Sequence, residues 1–355
     1  MTQHCNPDQA GNPWQRHAHR MGRRSWRAVG LQLATLLGLA MPLQAMPLQA
    51  MPLHQPGHIA VRLFVITMFA DETRPWLENE TWAQTLTVRG AYSPIHCTAN
   101  GLCVTETGMG KANVTASMTA ILLDKRFDWD HAIVLTAGIA GARPDRLTLG
   151  GAGLARFSVD YDLGHHLLPN APGEPLFLPT PFATGAESFQ LNEALLQATF
   201  QAMRGAALAD SPQAQAYKAN YPGQAGRPPA LEICDTIAGD DYWHGAALSD
   251  LAARIVQERT GGQGTYCTTQ MEDSAVALVM QRFGLLNRYM SLRTVSNFDQ
   301  PYPGQSDQDS LAADSGGLPI ATENAHRLGR ALFDHLLRHP ELSAGHDTAQ
   351  ATVAH

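Results

Sequence analysis

From residue 59 onward, short unbroken apolar runs alternate with stretches of helical spacing, and the breaks between them carry glycine, acid or amide. Residues 59–69 form one such run, rich in Val, Ile and Phe, between His58 and Asp71. Its length and β-branching predict a buried parallel strand. The stretch 74–82 predicts a short helix with Pro75 in its first turn. Residues 85–92 and 102–106 are strand-like. A glycine turn at 107–113 leads into a helix over 112–125, and 131–137 is a second buried strand, ended by the glycines of 138–142. Further strands are predicted over 152–161, 231–238 and 288–296, and helices over 187–208, 271–283 and 323–339. The prolines of 167–182 predict an arm over the surface, and the Pro-, Gly- and Gln-rich stretch 211–229 predicts the most mobile internal loop. Strands followed by glycine turns and helices predict an α/β fold, in which ligands gather past the carboxyl ends of the strands.

Residues with chemistry fall at those ends. Glu72 follows the first strand, where an acid also suits a helix start. The turns holding Gly108 and Gly138 offer backbone N–H groups to an anion or a polar ligand. Tyr242 and Trp243 follow the strand 231–238, where an aromatic pair either stacks a planar base or closes a packed corner. Met271 and Glu272 open a helix: a thioether to lie against a sugar ring, and a carboxylate to accept hydrogen bonds from vicinal hydroxyls. Asn297 and Asp299 place an amide and a carboxylate past the strand 288–296. His244 has no second histidine at zinc spacing and neither cysteine spacing resembles a zinc site, so no metal and no cofactor is expected.

Composition narrows this further. The 355 residues make one large domain or two small ones. With 44% apolar and 16% charged residues, a sizeable core is expected. A net charge of −7, with no long basic run in the body of the chain, argues against nucleic acid as partner. Residues 1–50 are expected to be a signal peptide and linker: Arg20, Arg23, Arg24 and Arg27 precede an apolar run over 28–40, and Met-Pro-Leu-Gln-Ala occurs twice over 41–50. That run is short for a bilayer span, so a periplasmic or secreted protein with no membrane span in the mature chain is expected. Cys97, Cys103, Cys234 and Cys267 agree with export; a hairpin-closing Cys97–Cys103 bond is plausible, and Cys234 could pair with Cys267. The domain is expected over 58–339, with a disordered tail over 340–355.

Five strand-end motifs read together resemble the nucleoside phosphorylase/nucleosidase superfamily, and most closely its purine nucleoside permease family, over residues 59–337. They are the Gly108 turn, the Gly138 turn, Gly-Asp-Asp-Tyr-Trp at 239–243, Gln-Met-Glu-Asp-Ser-Ala at 270–275 and Arg-Thr-Val-Ser-Asn at 293–297. The resemblance implies a single domain with a mixed central β-sheet flanked by helices. It implies a purine nucleoside as partner, with Glu272 holding the ribose hydroxyls, Met271 against the sugar and Tyr242 stacking the base. Asn297 stands where the adenosine-type hydrolases carry Asp, so Asn297 or Asp299 is expected to stabilise charge on the purine. The segment 66–72 resembles the part of methylthioadenosine nucleosidases in which a Glu positions the attacking water, which gives that role to Glu72. The Gly-x-Pro-x-Arg pattern that begins a phosphate site in phosphorylases is absent, which favours hydrolysis. Phosphorolysis, or uptake and binding without catalysis, are the alternatives, and assembly into a homo-oligomer stays open.

Overall fold

Six strands frame the site: β1 (Leu63–Thr67), β2 (Leu102–Glu106), β3 (Ile133–Ala142), β4 (Asp235–Ala238), β5 (Tyr266–Gln270) and β6 (Tyr289–Phe298). They belong to a mixed sheet in the computed structural model, which describes residues 58–168, 173–180 and 183–344. β1 lies parallel to β2 on one side and to β3 on the other. β6 runs parallel to β3 along its whole length, and β5 meets β3 antiparallel at Gly141 and Ala142. One edge of β3 therefore changes partner. It pairs with β1 up to Thr136 and with β5 from Gly141, and residues 137–140 between them have no strand on that edge. This break in the sheet lies at the carboxyl end of β1.

Why β1 is buried throughout follows from its two faces. Phe64 and Ile66 pack with Met118 and Ile121 of α2 (Lys111–Leu122) and with Val276 and Met280 of α4 (Asp273–Arg282). Leu63 and Val65, with period-two alternation, pack on the other face with Leu328, Leu332 and Phe333 of α5 (Gly317–Arg338). Helices cover both faces, so the strand reads as an unbroken apolar run. Each buried Leu, Val or Phe contributes roughly 1.5–3 kcal/mol of apolar burial. Two further helices, α1 (Ala70–Asn79) and α3 (Ala246–Arg259), follow β1 and β4.

Several boundaries differ from the sequence expectation, each for a physical reason. The first run divides: Ile59–Ala60 pairs with Phe127–Asp128, and Phe69 leaves the strand to precede α1. α1 begins at Ala70, so Pro75 lies inside it instead of in its first turn. β3 runs on through Gly138 and Gly141 because β6 keeps pairing with it there. The predicted helix 187–208 is an edge strand, Ser188–Gln190, followed by Glu193–Met203, whose start is fixed by Asn192 accepting the Leu195 N–H. The stretch 211–229 is not an open loop. It holds a helix, Pro212–Lys218, started by Ser211, and the buried Lys218 and Gln224 bind Asp210, Arg227 O and Leu147 O.

Residues 95–97 pair antiparallel with β2, Cys97 lies opposite Cys103, and the two are joined by a disulfide, as are Cys234 and Cys267. The expected signal segment lies outside the described residues, as do 169–172 and 181–182 of the expected arm, whose residues Phe177–Pro179 pair antiparallel with Gly164–His166. A four-residue helix, Glu341–Ala344, follows α5 where the tail was expected to begin. Among the described residues no helix is long and apolar enough to cross a membrane.

Candidate functional site

A cavity of about 260 Å³ opens at the break in the sheet. Its wall includes Glu72, Tyr242, Trp243, Met271, Glu272, Asn297 and Asp299, which come from four separate segments.

Glu72 sits in the first turn of α1. Its Oε2 accepts the Met68 N–H and its Oε1 the Ile139 N–H, both at 2.7 Å. The carboxylate thus takes the backbone donor that β3 would give to a neighbouring strand. Gly138 makes room for it: a Cβ there would lie 2.1 Å from Met68 Cε and 2.9 Å from Glu72 Oε1. Glu72 is 2% exposed. Burial pushes its carboxyl up to about 7, against the opposing pull of Arg293 and the two N–H donors.

Arg293 is the anchor that sequence reasoning left without a role. It is fully buried in the middle of β6, and a charged residue between Leu292 and Thr294 was the available signal. Its Nη2 donates to Asp273 Oδ1 at 2.7 Å and Glu272 Oε2 at 3.0 Å, its Nε to Asp273 Oδ2 at 3.0 Å, and its Nη1 to Ile139 O at 3.1 Å. Burial pulls the guanidinium down, and Asp273 and Glu272 beside it more than offset that. Such a pair is tolerated inside a protein only when its donors and acceptors are matched this fully.

Glu272 closes the same network from the start of α4. Gln270, the last residue of β5, accepts the N–H groups of Glu272 and Asp273 at 2.6 and 2.9 Å, so the strand end satisfies donors the helix leaves open. Glu272 Oε1 accepts the Gly110 N–H at 2.8 Å. Burial raises its pKa, while Arg293 and that N–H lower it. Gly110 (φ +86°) precedes α2. The Gly108 turn therefore reaches the site through Gly110 and through Met109, which lines the cavity. Gly108 itself does not line it: at φ +80°, a Cβ there would meet the Tyr92 ring at 2.8 Å. Gly138 likewise stands behind the wall and is the clearance for Glu72.

The aromatic pair divides its work. Tyr242 is 60% exposed, with its hydroxyl 3.4 Å from Asn297 Nδ2. Trp243 is buried and stacks on Tyr161 at 5.5 Å, so it lines the cavity as part of a packed corner. Asn297 Oδ1 accepts from Ser296 Oγ at 2.8 Å, and its Nδ2 donates to Phe298 O at 3.1 Å. Asp299 Oδ2 accepts from Tyr266 at 2.7 Å and from Ser249 at 2.8 Å. Burial pushes the Asp299 carboxyl up to about 6. Tyr266 and Ser249, on β5 and α3, were not singled out in the sequence because neither element was predicted.

Comparison with known proteins identifies the fold and the family. The chain is similar in structure to futalosine hydrolase of Helicobacter pylori, at a TM-score of 0.54 and 17% identity over 78% of this chain and 98% of that one. It is equally similar to a 5'-methylthioadenosine/S-adenosylhomocysteine nucleosidase of the same organism, at a TM-score of 0.54 and 17% identity over 79% of this chain and 100% of that one. At that identity the likeness establishes the fold, a mixed sheet flanked by helices. In sequence, the chain is 30% identical over 311 residues to a Schizosaccharomyces pombe protein named as a probable purine nucleoside permease, covering 78% of this chain and 89% of that protein. It is 30% identical over 290 residues to the purine nucleoside permease of Candida albicans, covering 74% and 71%. Residues 60–343 match the family described as purine nucleoside permease (NUP). The chain belongs to the purine nucleoside permease family.

Proposed function

We propose that the cavity binds a purine nucleoside and that the protein cleaves its N-ribosidic bond by hydrolysis. The observation that carries this reading is the meeting of Glu72 and Glu272, from two distant segments, around Arg293 on one cavity wall. Glu272 is held on both oxygens by Gly110 and Arg293, which fixes it to accept the ribose 2′ and 3′ hydroxyls. Met271 lies against the sugar and Tyr242 against the base. Glu72, with a carboxyl near neutrality, takes a proton from water as that water attacks C1′. Asn297 and Asp299 face the charge that develops on the purine. Hydrolysis is favoured over phosphorolysis because Arg293 is the one cation among the described lining residues, and its donors already go to carboxylates and a carbonyl. A phosphate dianion would meet a wall rich in acid.

A second reading comes from the relatives' name. A permease-named family favours a nucleoside-binding component that serves uptake without catalysis. In either case we place the protein outside the cytoplasm, which the basic-then-apolar segment over 20–40 and the two disulfides support. Purified protein incubated with inosine, adenosine or guanosine, with and without phosphate, separates the readings. Free base without phosphate is the expected result. Base released only with phosphate would make the protein a phosphorylase, and tight binding without turnover would leave it a binding component.

A further inference from the structure

We infer that Asp299 is the acid of this site, that it carries its proton on Oδ1, and that Tyr266 and Ser249 hold that proton in place. The assignment rests on the hydrolytic reading above and deepens it. Asp299 is 1% exposed and lines the cavity. Its two oxygens are in unlike surroundings. Oδ2 accepts from two hydroxyls, Tyr266 at 2.7 Å and Ser249 at 2.8 Å. Oδ1 is buried and has no hydrogen-bond partner. A carboxylic acid can carry its proton on either oxygen, but an oxygen that already accepts two O–H donors is the poor place for it. The proton is therefore directed to Oδ1. A buried polar atom without a partner is costly, and here a ligand in the cavity would supply one.

Asn297 cannot fill the same role, since an amide donates a hydrogen bond but gives up no proton. Its Nδ2 is also engaged by Phe298 O. The step then balances as follows. The C1′–N bond breaks and its electron pair stays on the purine; the Asp299 Oδ1 proton moves to the base. Water adds its oxygen to C1′ and gives a proton to Glu72. Asp299 is left as carboxylate and Glu72 as acid, and exchange of one proton with solvent resets both. Tyr266 and Ser249 are positioning residues in this scheme. The other ionisable groups that act on Asp299 are Arg143, which favours its anion, Asp145, which opposes it, and Tyr221 nearby.

Each hydroxyl on Oδ2 favours the ionised form, so losing one makes Asp299 hold its proton to higher pH. With Glu72 required as anion and Asp299 as acid, the rate above neutrality follows the protonated fraction of Asp299. For Tyr266→Phe and Ser249→Ala, the ratio of kcat/KM at pH 8 to that at pH 5.5, measured with inosine, is expected to rise about fivefold. Asp299→Asn is expected to lose about 10²–10⁴-fold in kcat. A ratio unchanged in both hydroxyl variants, or near-normal turnover in Asp299→Asn, would overturn the assignment. Should Tyr266→Phe fail to fold, Ser249→Ala carries the test. Infrared spectroscopy reads the proton without turnover: because Glu72 is also protonated at pH 5.5, the wild-type minus Asp299→Asn difference spectrum is the readout, and it should hold a protonated-carboxyl band that is shifted in Ser249→Ala. A wild-type protein that releases no base removes the hydrolytic reading, while a difference spectrum without that band removes this one.

Discussion

At the scale of single residues, the site turns on buried carboxylates with different work. Glu72→Gln keeps the cavity's shape, so nucleoside binding should persist while kcat falls by about 10²–10⁴-fold. Near-normal base release by this variant, followed by chromatography, would remove Glu72 from the mechanism. Its carboxyl is pushed up to about 7, and a base must be ionised, so wild-type turnover should fall as pH drops below neutrality. Glu272→Ala should lose nucleoside binding by calorimetry. It should also destabilise the fold by about 1–3 kcal/mol, because Arg293 and the Gly110 N–H each lose an acceptor. Gly138→Ala puts a methyl where Met68, Arg293 and Glu72 already are. A melting-temperature loss equivalent to about 1–3 kcal/mol is expected, with activity falling further than stability. Activity kept at wild-type level would show that Glu72 does not depend on that clearance.

At the scale of elements, legibility tracked how much an element's burial depends on apolar side chains. β1 and β2 were readable because both of their faces are covered and unbroken apolar runs follow from that. β5, with the sequence Tyr-Cys-Thr-Thr-Gln, is buried just as deeply but uses hydroxyls and an amide, so its sequence resembles a loop. The helix Pro212–Lys218 was missed because its Pro-, Gly- and Gln-rich surroundings mask Ser211 and Pro212, which are good helix-start residues in their own right. The Cys234–Cys267 bond ties the start of β4 to β5, the strand that leads to Met271 and Glu272. It closes a loop of 33 residues, against 6 for Cys97–Cys103. Loop entropy makes the longer closure worth about 3.5 kcal/mol and the shorter about 2. Paired Cys→Ser variants compared by denaturant midpoint should show the larger loss at Cys234 and Cys267; equal losses would place the stabilisation elsewhere.

At the scale of the whole molecule, the buried acids set a pH dependence of stability. Glu72 is held near 7 against 4.5 in the unfolded chain, and Asp299 near 6 against 3.8. In both windows the folded state binds the more protons, so stability is fully present at low pH and falls as pH rises. The cost is on the order of 3 kcal/mol for Glu72 by pH 8. Glu187, whose carboxyl backbone donors hold down to about 2, acts in the opposite sense but only below about pH 4.5. Thermal unfolding should therefore show a melting temperature that declines from pH 5 to pH 8, with the slope reduced in Asp299→Asn. A flat or rising profile would mean that these acids ionise normally.

What the sequence determined by itself was the alternation of strand and helix, the strand-end motifs and their order, and the family they mark. Those features are local: an apolar run, a glycine turn or Met-Glu before a helix is written in adjacent residues. What only the tertiary structure decided is which motifs share a wall and through what. Glu72 meets Glu272 because β3 leaves an edge open between β1 and β5, and Arg293 crosses that gap from β6. Asp299 has one satisfied and one unsatisfied oxygen because Ser249 and Tyr266, 50 and 33 residues away, arrive on the same side. Hydrogen bonds and burial between segments far apart in the chain set the charge state of each acid, and no stretch of sequence holds both partners.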